Sequence, residues 1–302
     1  MLLVHRHGSI AGAARALDVD PSSVSRTVAT VEADLGVRVF HRTTRSLRLS
    51  DEGKTYLARL EPLIEEFEAA QEEARGTRGK PTGVLRLTAS VAFADRVIIP
   101  LLSAFQSLYP EIIVDLQSSD TNLDLVENGI DLAIRLAPAP KGDVISTRLM
   151  PTQYRVVASP NYLKEHGLVD HPSDLTEANC IRFALPGISG AWHFRDRKDS
   201  GFEVEVSGNL MISNALALRH AAHEGLGVAI LANWLIDRDI HSGALIDLFP
   251  HYECTATTFD TAAWALYTNR TYLPRKVRVM IDFLKDNLGS VDNRTTLSAS
   301  PA

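Results

Sequence analysis

The stretch SIAGAARALDVDPSSVSRTVATVEADLGVRVFHRTTRSLRL at residues 9–49 decides the fold of the N-terminal part of the chain. Its apolar residues recur every three or four positions in two consecutive segments, which is helical spacing. Between the segments, Asp20 and Pro21 suit a helix cap followed by a first helical residue. The turn of about three residues predicts a helix-turn-helix. The apolar residues are Ile10, Ala13, Ala14, Leu17, Val24, Val28, Val31 and Leu35.

The second predicted helix separates its apolar and polar residues onto opposite faces. If Val24 and Val28 face the core, the outer face is short, polar and cationic. Short hydroxyls and one arginine let a helix approach a DNA groove and bond to base edges and phosphates. An ordinary amphipathic helix pair with a solvated face fits the same spacing. The helix residues that we expect to contact DNA are Ser22, Ser23, Ser25, Arg26 and Thr30.

A short hairpin is predicted directly after this helix. Gly36 suits a helix end, and Val37–Phe40 and Ser46–Leu49 read as two strands. A loop of arginines and threonines between them suits a phosphate or minor-groove contact, although a merely soluble hairpin is the plainer alternative. The parts together predict a winged helix-turn-helix. Its expected DNA contacts in the loop are Arg42, Thr43, Thr44 and Arg45.

A known family shares this pattern. AAxxLxxxxSSVSRxVxxxExxLGVxxFxRTTRxLxLxxxG, at Ala13–Gly53, resembles the DNA-binding signature of the LysR-type transcriptional regulators. In that family the first helix usually begins before the position of Met1. We therefore expect Met1–His7 to form the last part of a shortened first helix.

Length and composition indicate about two domains, because the chain has 302 residues of which 45% are hydrophobic. No apolar run approaches the ~18 residues of a membrane span, and no signal peptide is visible, so we expect a cytoplasmic protein without a membrane partner. Cys180 and Cys254 lie far apart in no metal-binding spacing. Buried free thiols are favoured over a disulfide, and no metal or cofactor is predicted.

The charge is divided unevenly along the chain. The net charge of the whole is −6, but residues 1–50 hold seven Arg and four acidic residues, a net +3. The remaining residues therefore carry −9. This asymmetry would direct DNA to the N-terminal part, while the acidic remainder opposes indiscriminate coating of nucleic acid.

A long helix is predicted from a cap at Ser50 to about Arg75. Its apolar spacing alternates three and four, as in a coiled coil, but lasts so briefly that by itself it favours an ordinary surface helix. In LysR-type regulators this position is a dimerising linker helix, so the resemblance implies a homodimer or homotetramer. GTRGKPTG at Gly76–Gly83 reads as a hinge. The seam is formed by Leu57, Leu60, Ile64, Phe67, Gln71 and Ala74.

Strands and helices alternate from Val84 onward, which indicates an α/β domain with a mostly parallel sheet. LRLTAS, LYPEIIVDL and LVENGIDLAIR resemble the effector domain of the same family, which is built like a type-2 periplasmic binding protein with two lobes. The expected organisation is a winged helix-turn-helix at 1–50, a linker helix and hinge at 51–80, and an effector domain at 81–302. Lobe I would comprise about 84–160 and 264–290, lobe II about 161–263, with chain crossings near Val157–Tyr162 and Thr261–Leu266.

An effector is expected beyond the carboxyl ends of the strands, where helix N-termini present free N–H groups. Arg135 suits a carboxylate, although an internal ion pair fits equally well. Ser90 and Ser213 suit helix caps just as well. The family resemblance adds that Ser90 and Thr121 match positions that contact inducers. The predicted cleft residues are Ser90, Val91, Phe93, Asp120, Thr121, Arg135, Phe183, Ser213 and Asn214.

The expected function is that of a transcriptional regulator which binds double-stranded promoter DNA and a small-molecule effector. The resemblance implies a small organic or aromatic acid. The alternative is a small-molecule binding protein or enzyme with a vestigial N-terminal domain. Apparent catalytic signals do not support an enzyme: Gly187–Gly190 lacks the spacing of a nucleophile elbow, and His220 and His223 do not form a zinc-protease motif.

Overall fold

The computed structural model of the protein describes residues 1–42, 47–74, 80–121, 124–125, 128–138, 145–184, 190–196, 201–267 and 273–288. Three predicted DNA contacts, Thr43, Thr44 and Arg45, lie outside these residues. The described chain divides into two compact units. The first contains Met1–Lys80, and the second contains the two large sheets that follow.

Three helices open the first unit, and local signals set the ends of two of them. The Ser9 hydroxyl caps the second helix by accepting from the Gly12 N–H at 3.0 Å. Asp20 caps the third by accepting from the Ser22 N–H at 2.7 Å. Gly36 ends that helix with φ of +69°, a conformation that glycine adopts without strain. The helices are α1 (Leu2–Arg6), α2 (Ile10–Leu17) and α3 (Pro21–Leu35).

The core of this unit holds the inner faces of α2 and α3. Ala13, Ala14 and Val28 are all at most 2% exposed there. Two residues predicted for the core are not in it: Leu17 is 49% exposed and Leu35 is 37% exposed. Each is the last residue of its helix, so the apolar periodicity continues to a position that no neighbouring element covers.

The hairpin consists of β1 (Phe40–Arg42) and β2 (Leu47–Leu49), paired antiparallel. The first strand was predicted to begin at Val37, and this is wrong by three residues. The reason is Glu32, whose Oε1 accepts from the N–H groups of Val39 and Phe40 at 2.9 Å each. A side chain therefore satisfies the backbone donors that a longer strand would have used.

The long helix α4 runs from Asp51 to Ala74, close to the predicted bounds. Ser50 caps it by accepting from the Gly53 N–H at 2.8 Å. Of the predicted seam, Leu57 is buried in the helix-turn-helix core, whereas Phe67 is 62% exposed. The seam thus changes from an internal contact to an uncovered apolar surface along the helix.

The first sheet of the second unit has the strand order β4-β3-β5-β15-β6. The three strands β4, β3 and β5 are parallel, while β15 is antiparallel to both of its neighbours. We call this sheet with its packed helices lobe I. Its strands are β3 (Gly83–Ala89), β4 (Ile112–Ser118), β5 (Leu132–Pro138), β6 (Ile145–Pro151) and β15 (Thr261–Tyr267).

The second sheet has the order β10-β9-β14-β7-β12, with β13 also paired to β7, and all its pairs are antiparallel. We call it with its helices lobe II. The expectation of a mostly parallel sheet therefore holds for β4, β3 and β5 of lobe I and is wrong for the lobe II sheet. The strands are β7 (Tyr154–Ala158), β9 (Ala191–Arg195), β10 (Gly201–Glu205), β12 (Ala229–Ala232), β13 (Ile246–Asp247) and β14 (Glu253–Thr255); β8 (Arg182–Phe183) and β11 (Met211–Ile212) form a separate parallel pair.

The chain crosses between the lobes earlier than predicted. Strand β7 was placed in lobe I, but it pairs with β12 in the lobe II sheet, so the first crossing lies at Thr152–Gln153 rather than near residue 160. The return crossing ends where β15 begins at Thr261. The two crossing segments are bonded to each other, since the Thr152 N–H donates to the Thr261 carbonyl at 3.0 Å.

Further helices pack on these sheets in the described part of the chain. Among the described residues, only the continuous helix Val91–Leu108 is long and apolar enough to cross a bilayer by composition, and 28% of it is buried. Asp95 and Arg96 interrupt its apolar residues, so apolar spacing alone does not predict a helix of this length. The helices are α5 (Val91–Phe93), which continues through a π-helical turn into α6 (Ile99–Leu108), α7 (Pro160–His166), α8 (Ala215–His223), α9 (Asn233–Ser242) and α10 (Arg275–Leu288).

Candidate DNA-binding surface and effector cleft

The outer face of α3 presents a stripe of exposed polar side chains, Ser22, Arg26 and Thr30, each one turn from the next. Arg26 lies back along the helix, with Nη2 3.5 Å from the Ser22 Oγ and Nε 3.4 Å from the Ser22 carbonyl. Hydrogen bonds this long are weak, so the guanidinium can leave them for a stronger acceptor. The buried Val24 and Val28 on the opposite face fix the direction of the stripe.

The other predicted DNA contacts of α3 are less exposed. Ser23 and Ser25 are half-buried at the edges of the stripe. Thr27 is exposed beside Arg26, and its hydroxyl donates to the Ser23 carbonyl at 3.0 Å. Sequence reasoning missed Thr27, although its position one residue after Arg26 would have included it. In the wing, Arg42 is the last residue of β1, and of it only the backbone is described.

The lobe I side of the predicted cleft lies at the carboxyl ends of β3 and β4. Ser90 follows β3 and caps α5 through the Phe93 N–H at 3.4 Å. Asp120 follows β4, and its Oδ1 accepts from the Val91 N–H at 3.0 Å. Thr121 is exposed, and its hydroxyl lies 2.8 Å from the Ser119 hydroxyl. Ser90, Val91 and Asp120 therefore lie together at this edge of the sheet, as the rule for ligand sites in α/β sheets predicts.

The lobe II side is built around the first turn of α8. The Asn214 Oδ1 accepts from the N–H groups of Leu216 and Ala217 at 3.0 and 3.1 Å. The Nδ2 of the same side chain donates to the Asp120 Oδ2 at 2.8 Å. Ser213 is exposed and Asn214 alone caps the helix, so the capping alternative for Ser213 is wrong. Asn214 therefore joins the two lobes through one side chain.

An aromatic contact also joins the lobes. Phe93 is fully buried, and its ring packs edge-to-face on Trp234 of α9 with centroids 5.1 Å apart. The Trp234 Nε1 is buried without a hydrogen-bond partner among the described residues. Trp234 was missed from the sequence, yet it follows the end of β12 and so obeys the same strand-end rule. Phe183 is half-buried against the lobe II core.

Arg135 lies in β5, the strand that pairs with β3 in the lobe I sheet. Burial lowers the pKa of its guanidinium. Nη1 donates to the Ile134 carbonyl at 3.2 Å, whereas the buried Nη2 has no hydrogen-bond partner among the residues that the structure describes. A buried cationic donor without an acceptor is costly, and an anionic ligand would remove that cost.

A cavity of about 230 Å³ lies in lobe II next to the crossing segments. Its charged wall is internally paired: the Arg195 Nε donates to the Glu253 Oε2 at 2.6 Å, and the guanidinium stacks 4.4 Å from the centre of Phe259. Burial raises the pKa of Tyr154 in the same wall. The cavity contains none of the residues predicted to bind an effector.

Both cysteines are free and buried, as the sequence predicted. Burial raises the pKa of the Cys180 thiol and of the Cys254 thiol to about 12. A thiol with so high a pKa is not a nucleophile near neutral pH, because almost none of it is thiolate.

Comparison with known proteins decides the family. Residues 1–54 match the model described as bacterial regulatory helix-turn-helix protein, lysR family, and residues 78–289 match the LysR substrate binding domain. The chain belongs to the LysR family of transcriptional regulators. The fold class predicted from the sequence is thereby confirmed, and the N-terminal helices and two-lobed α/β domain acquire their roles as a DNA-binding part and an effector-binding part.

Individual relatives cover nearly all of this LysR-type regulator. It is 32% identical over 284 residues to the regulator CrgA of Neisseria meningitidis serogroup C, covering 94% of this chain and 93% of the relative. It is 31% identical over 286 residues to PtxR of Pseudomonas aeruginosa, covering 95% and 90%. The structure of CrgA from Neisseria meningitidis matches with a TM-score of 0.62 and 31% identity, covering 95% of this chain and 96% of that one.

Proposed function

We propose that this LysR-type regulator reads double-stranded promoter DNA with α3 in the major groove and with the wing on the flanking backbone or minor groove. The exposed stripe of Ser22, Arg26 and Thr30 carries the proposal, because it offers one cation and two hydroxyls on a helix whose other face is buried. Ser23 and Ser25 are assigned to the same contact. The proposed wing contacts are Arg42, Thr43, Thr44 and Arg45.

A gel-shift assay on the DNA adjoining the gene tests this assignment. Arg26→Ala removes one base or phosphate contact and should weaken binding by about 1–3 kcal/mol, or roughly ten- to hundredfold. Arg238→Ala removes an exposed arginine of lobe II and serves as the matched control. Equal binding by wild type and Arg26→Ala, at the same salt concentration, would contradict the proposal.

We propose further that the effector is a small organic or aromatic acid, held between lobes I and II of the region 81–302. The buried Nη2 of Arg135, which has no hydrogen-bond partner among the described residues, supports an anionic group. The half-buried ring of Trp234 supports a flat apolar one, whereas Phe93, a predicted effector contact, is fully buried behind it. Ser90, Val91 and Thr121 are assigned to polar contacts from lobe I. Asp120, Phe183, Ser213 and Asn214 complete the proposed lining.

Thermal unfolding with benzoate and with succinate tests the acid assignment. A ligand that binds only the folded protein raises the melting temperature by mass action. We expect a rise for at least one of the two acids in wild type and its loss in Arg135→Ala. Arg148→Ala, an exposed arginine on β6, is the control and should keep the rise. An undiminished rise in Arg135→Ala would contradict the role of Arg135.

We propose a homodimer or homotetramer assembled through the linker helix within residues 51–80. LysR-type regulators form oligomers, and the exposed apolar side chains of Leu63 and Phe67 on α4 support this surface. Phe67→Glu should lower the sedimentation mass at a fixed protein concentration. A Lys54→Glu variant also alters charge on α4 but lies in its first turn, and it should leave the mass unchanged.

We propose a cytoplasmic location without a membrane partner, because relatives named as transcriptional regulators act on DNA. The same relatives favour a regulator over the alternative of an enzyme with a vestigial N-terminal domain. The division into a reader at 1–50, a linker at 51–80 and a sensor at 81–302 follows from these assignments.

A further inference from the structure

One acidic side chain links the two lobes. The Oδ1 of Asp120 accepts from the Val91 N–H in lobe I at 3.0 Å, and its Oδ2 accepts from the Asn214 Nδ2 in lobe II at 2.8 Å. Ninety-four positions in sequence separate Asp120 from Asn214. Both oxygens of the carboxylate are therefore used, each by a donor from a different lobe.

The two N–H donors that contact the Asp120 carboxylate, one from each lobe, are positioned to bind an anion. Val91 is the first residue of the 18-residue helix Val91–Leu108, so its N–H lies at the positive end of that helix. Asn214 is held by the Leu216 and Ala217 N–H groups, which occupy its oxygen and leave its NH₂ directed at Asp120. The two lobes thus bring together N–H donors around a single carboxylate.

We infer that the Asp120 carboxylate is a built-in occupant of the anion position between the lobes, which holds them together until an acidic effector displaces it. The inference rests on the proposed acid-binding function and adds its regulation. An internal carboxylate competes at a high effective concentration, so it sets a threshold that an effector must exceed. Arg135, whose Nη2 has no hydrogen-bond partner in the described part of the chain, remains available to a second acidic group of the same ligand.

The prediction is specific to the missing carboxylate. Asp120→Ala leaves both donors without an acceptor, and a small free carboxylate should take its place. We expect acetate, at about 100 mM and constant ionic strength, to raise the melting temperature of full-length Asp120→Ala by about 2–4 °C. Wild type should not respond, because its own carboxylate fills the position. Acetamide has the same shape without the charge and should have a smaller effect.

Asp115→Ala is the matched control, since Asp115 is an exposed acid in the middle of β4. It should show no acetate response. Hydrogen exchange measured over residues 84–95 and 213–223 gives a local readout, and acetate should restore protection there in Asp120→Ala alone. Equal responses of Asp120→Ala and wild type, or no response of a folded Asp120→Ala, would overturn the inference.

An exchange variant decides the matter if Asp120→Ala does not fold. Asp120→Asn supplies one acceptor for two donors and should be less stable than wild type. Adding Asn214→Asp returns an acceptor on lobe II to face the new amide, so the double variant should recover most of the lost stability. A double variant no better than the sum of its single changes would overturn the inference. Failure of the Arg135 test leaves these results unaffected, so the two proposals fail separately.

Discussion

The outer face of α3 and the cleft between the lobes are built by opposite means. Along α3, Arg26 and Thr30 are positioned by bonds to residues four positions away, at Ser22 and Arg26. In the cleft, Asp120 bonds to Val91 and Asn214, which are 29 and 94 positions away. The first surface follows from helical periodicity, whereas the second exists only when two lobes have folded and met.

This difference has a functional meaning. A surface built from local bonds keeps its shape as long as the helix is folded, which suits a constant reader of DNA. A cleft closed by a few bonds between lobes can open at small cost, which suits a sensor. Changes in the two regions should therefore have separable effects, and the following variants test that separation.

The largest effects are expected where a glycine allows two backbone segments to touch. A Cβ at Gly53 would overlap the Val39 carbonyl oxygen, and a Cβ at Gly208 would overlap the Cys180 carbonyl oxygen. Gly53→Ala should destabilise the N-terminal unit and Gly208→Ala lobe II, each by about 3 kcal/mol.

Gly201→Ala is the control, because its Cβ would meet nothing nearer than 3.8 Å. Denaturant unfolding measures the loss of stability in each variant. DNA binding then reports on the N-terminal unit, and the acid-dependent thermal shift reports on the effector domain. We expect Gly53→Ala to lose the first and keep the second. Parallel loss of both in Gly53→Ala would contradict the separation.

A moderate effect is expected from Asp239, which ties α8 to α9. Its carboxylate accepts from the Arg219 Nε at 2.6 Å, and the His223 Nε2 lies 3.3 Å away. Burial alone raises the pKa of Asp239, but the hydrogen bond and charge of Arg219, with those of His223, lower it further than burial raises it. Asp239→Asn should cost about 2 kcal/mol of unfolding free energy at pH 7.

The pH dependence of that loss follows from the lowered pKa. A carboxyl whose pKa is lower in the folded state stabilises fully above its unfolded pKa of about 3.9 and loses this contribution as the pH falls through the folded value. The difference between wild type and Asp239→Asn should thus be constant from about pH 5 to 7 and shrink below about pH 4. Urea unfolding at several pH values measures it, and a difference that grows toward acid would contradict the assignment.

The smallest effect is expected at a helix cap in the N-terminal unit. Ser9→Ala removes the acceptor of the Gly12 N–H at the start of α2 and should cost about 1 kcal/mol. Ser9→Asp keeps an acceptor and should restore most of the loss. DNA binding should weaken slightly in Ser9→Ala, while the acid-dependent thermal shift stays unchanged. A change in the acid response would indicate that the two regions are more tightly coupled than proposed.

The local parts of this protein could be predicted from its sequence. The caps at Asp20 and Ser50, the glycine end of α3 and the bounds of α4 all depend on residues close in the chain. The sequence also indicated which strand ends lie together, since Val91, Asp120 and Asn214 do meet. The family resemblance supplied the two-lobed organisation that no local pattern contains.

The remaining features depend on contacts between distant segments. The side chain of Glu32 shortens the first strand of the wing, and no strand pattern encodes that. The placement of β7 in lobe II depends on which strands it pairs with, not on its own residues. Trp234 belongs to the cleft because α9 packs against the helix that begins at Val91. Strand patterns and capping signals describe each segment alone, so they could not predict these contacts between distant segments.

The most direct test of the central claim is to map where α3 lies on DNA. Ala33→Cys places one thiol on the exposed outer face of α3, and a chelated-iron reagent attached there cuts nearby DNA. Labelling is selective because Cys180 and Cys254 have pKa values of about 12 and stay protonated. The same label on Glu165→Cys, exposed on α7, is the control. We predict cleavage in two clusters separated by about ten base pairs or a multiple of that. Retarded DNA without cleavage above the control would contradict the claim that α3 is the reader.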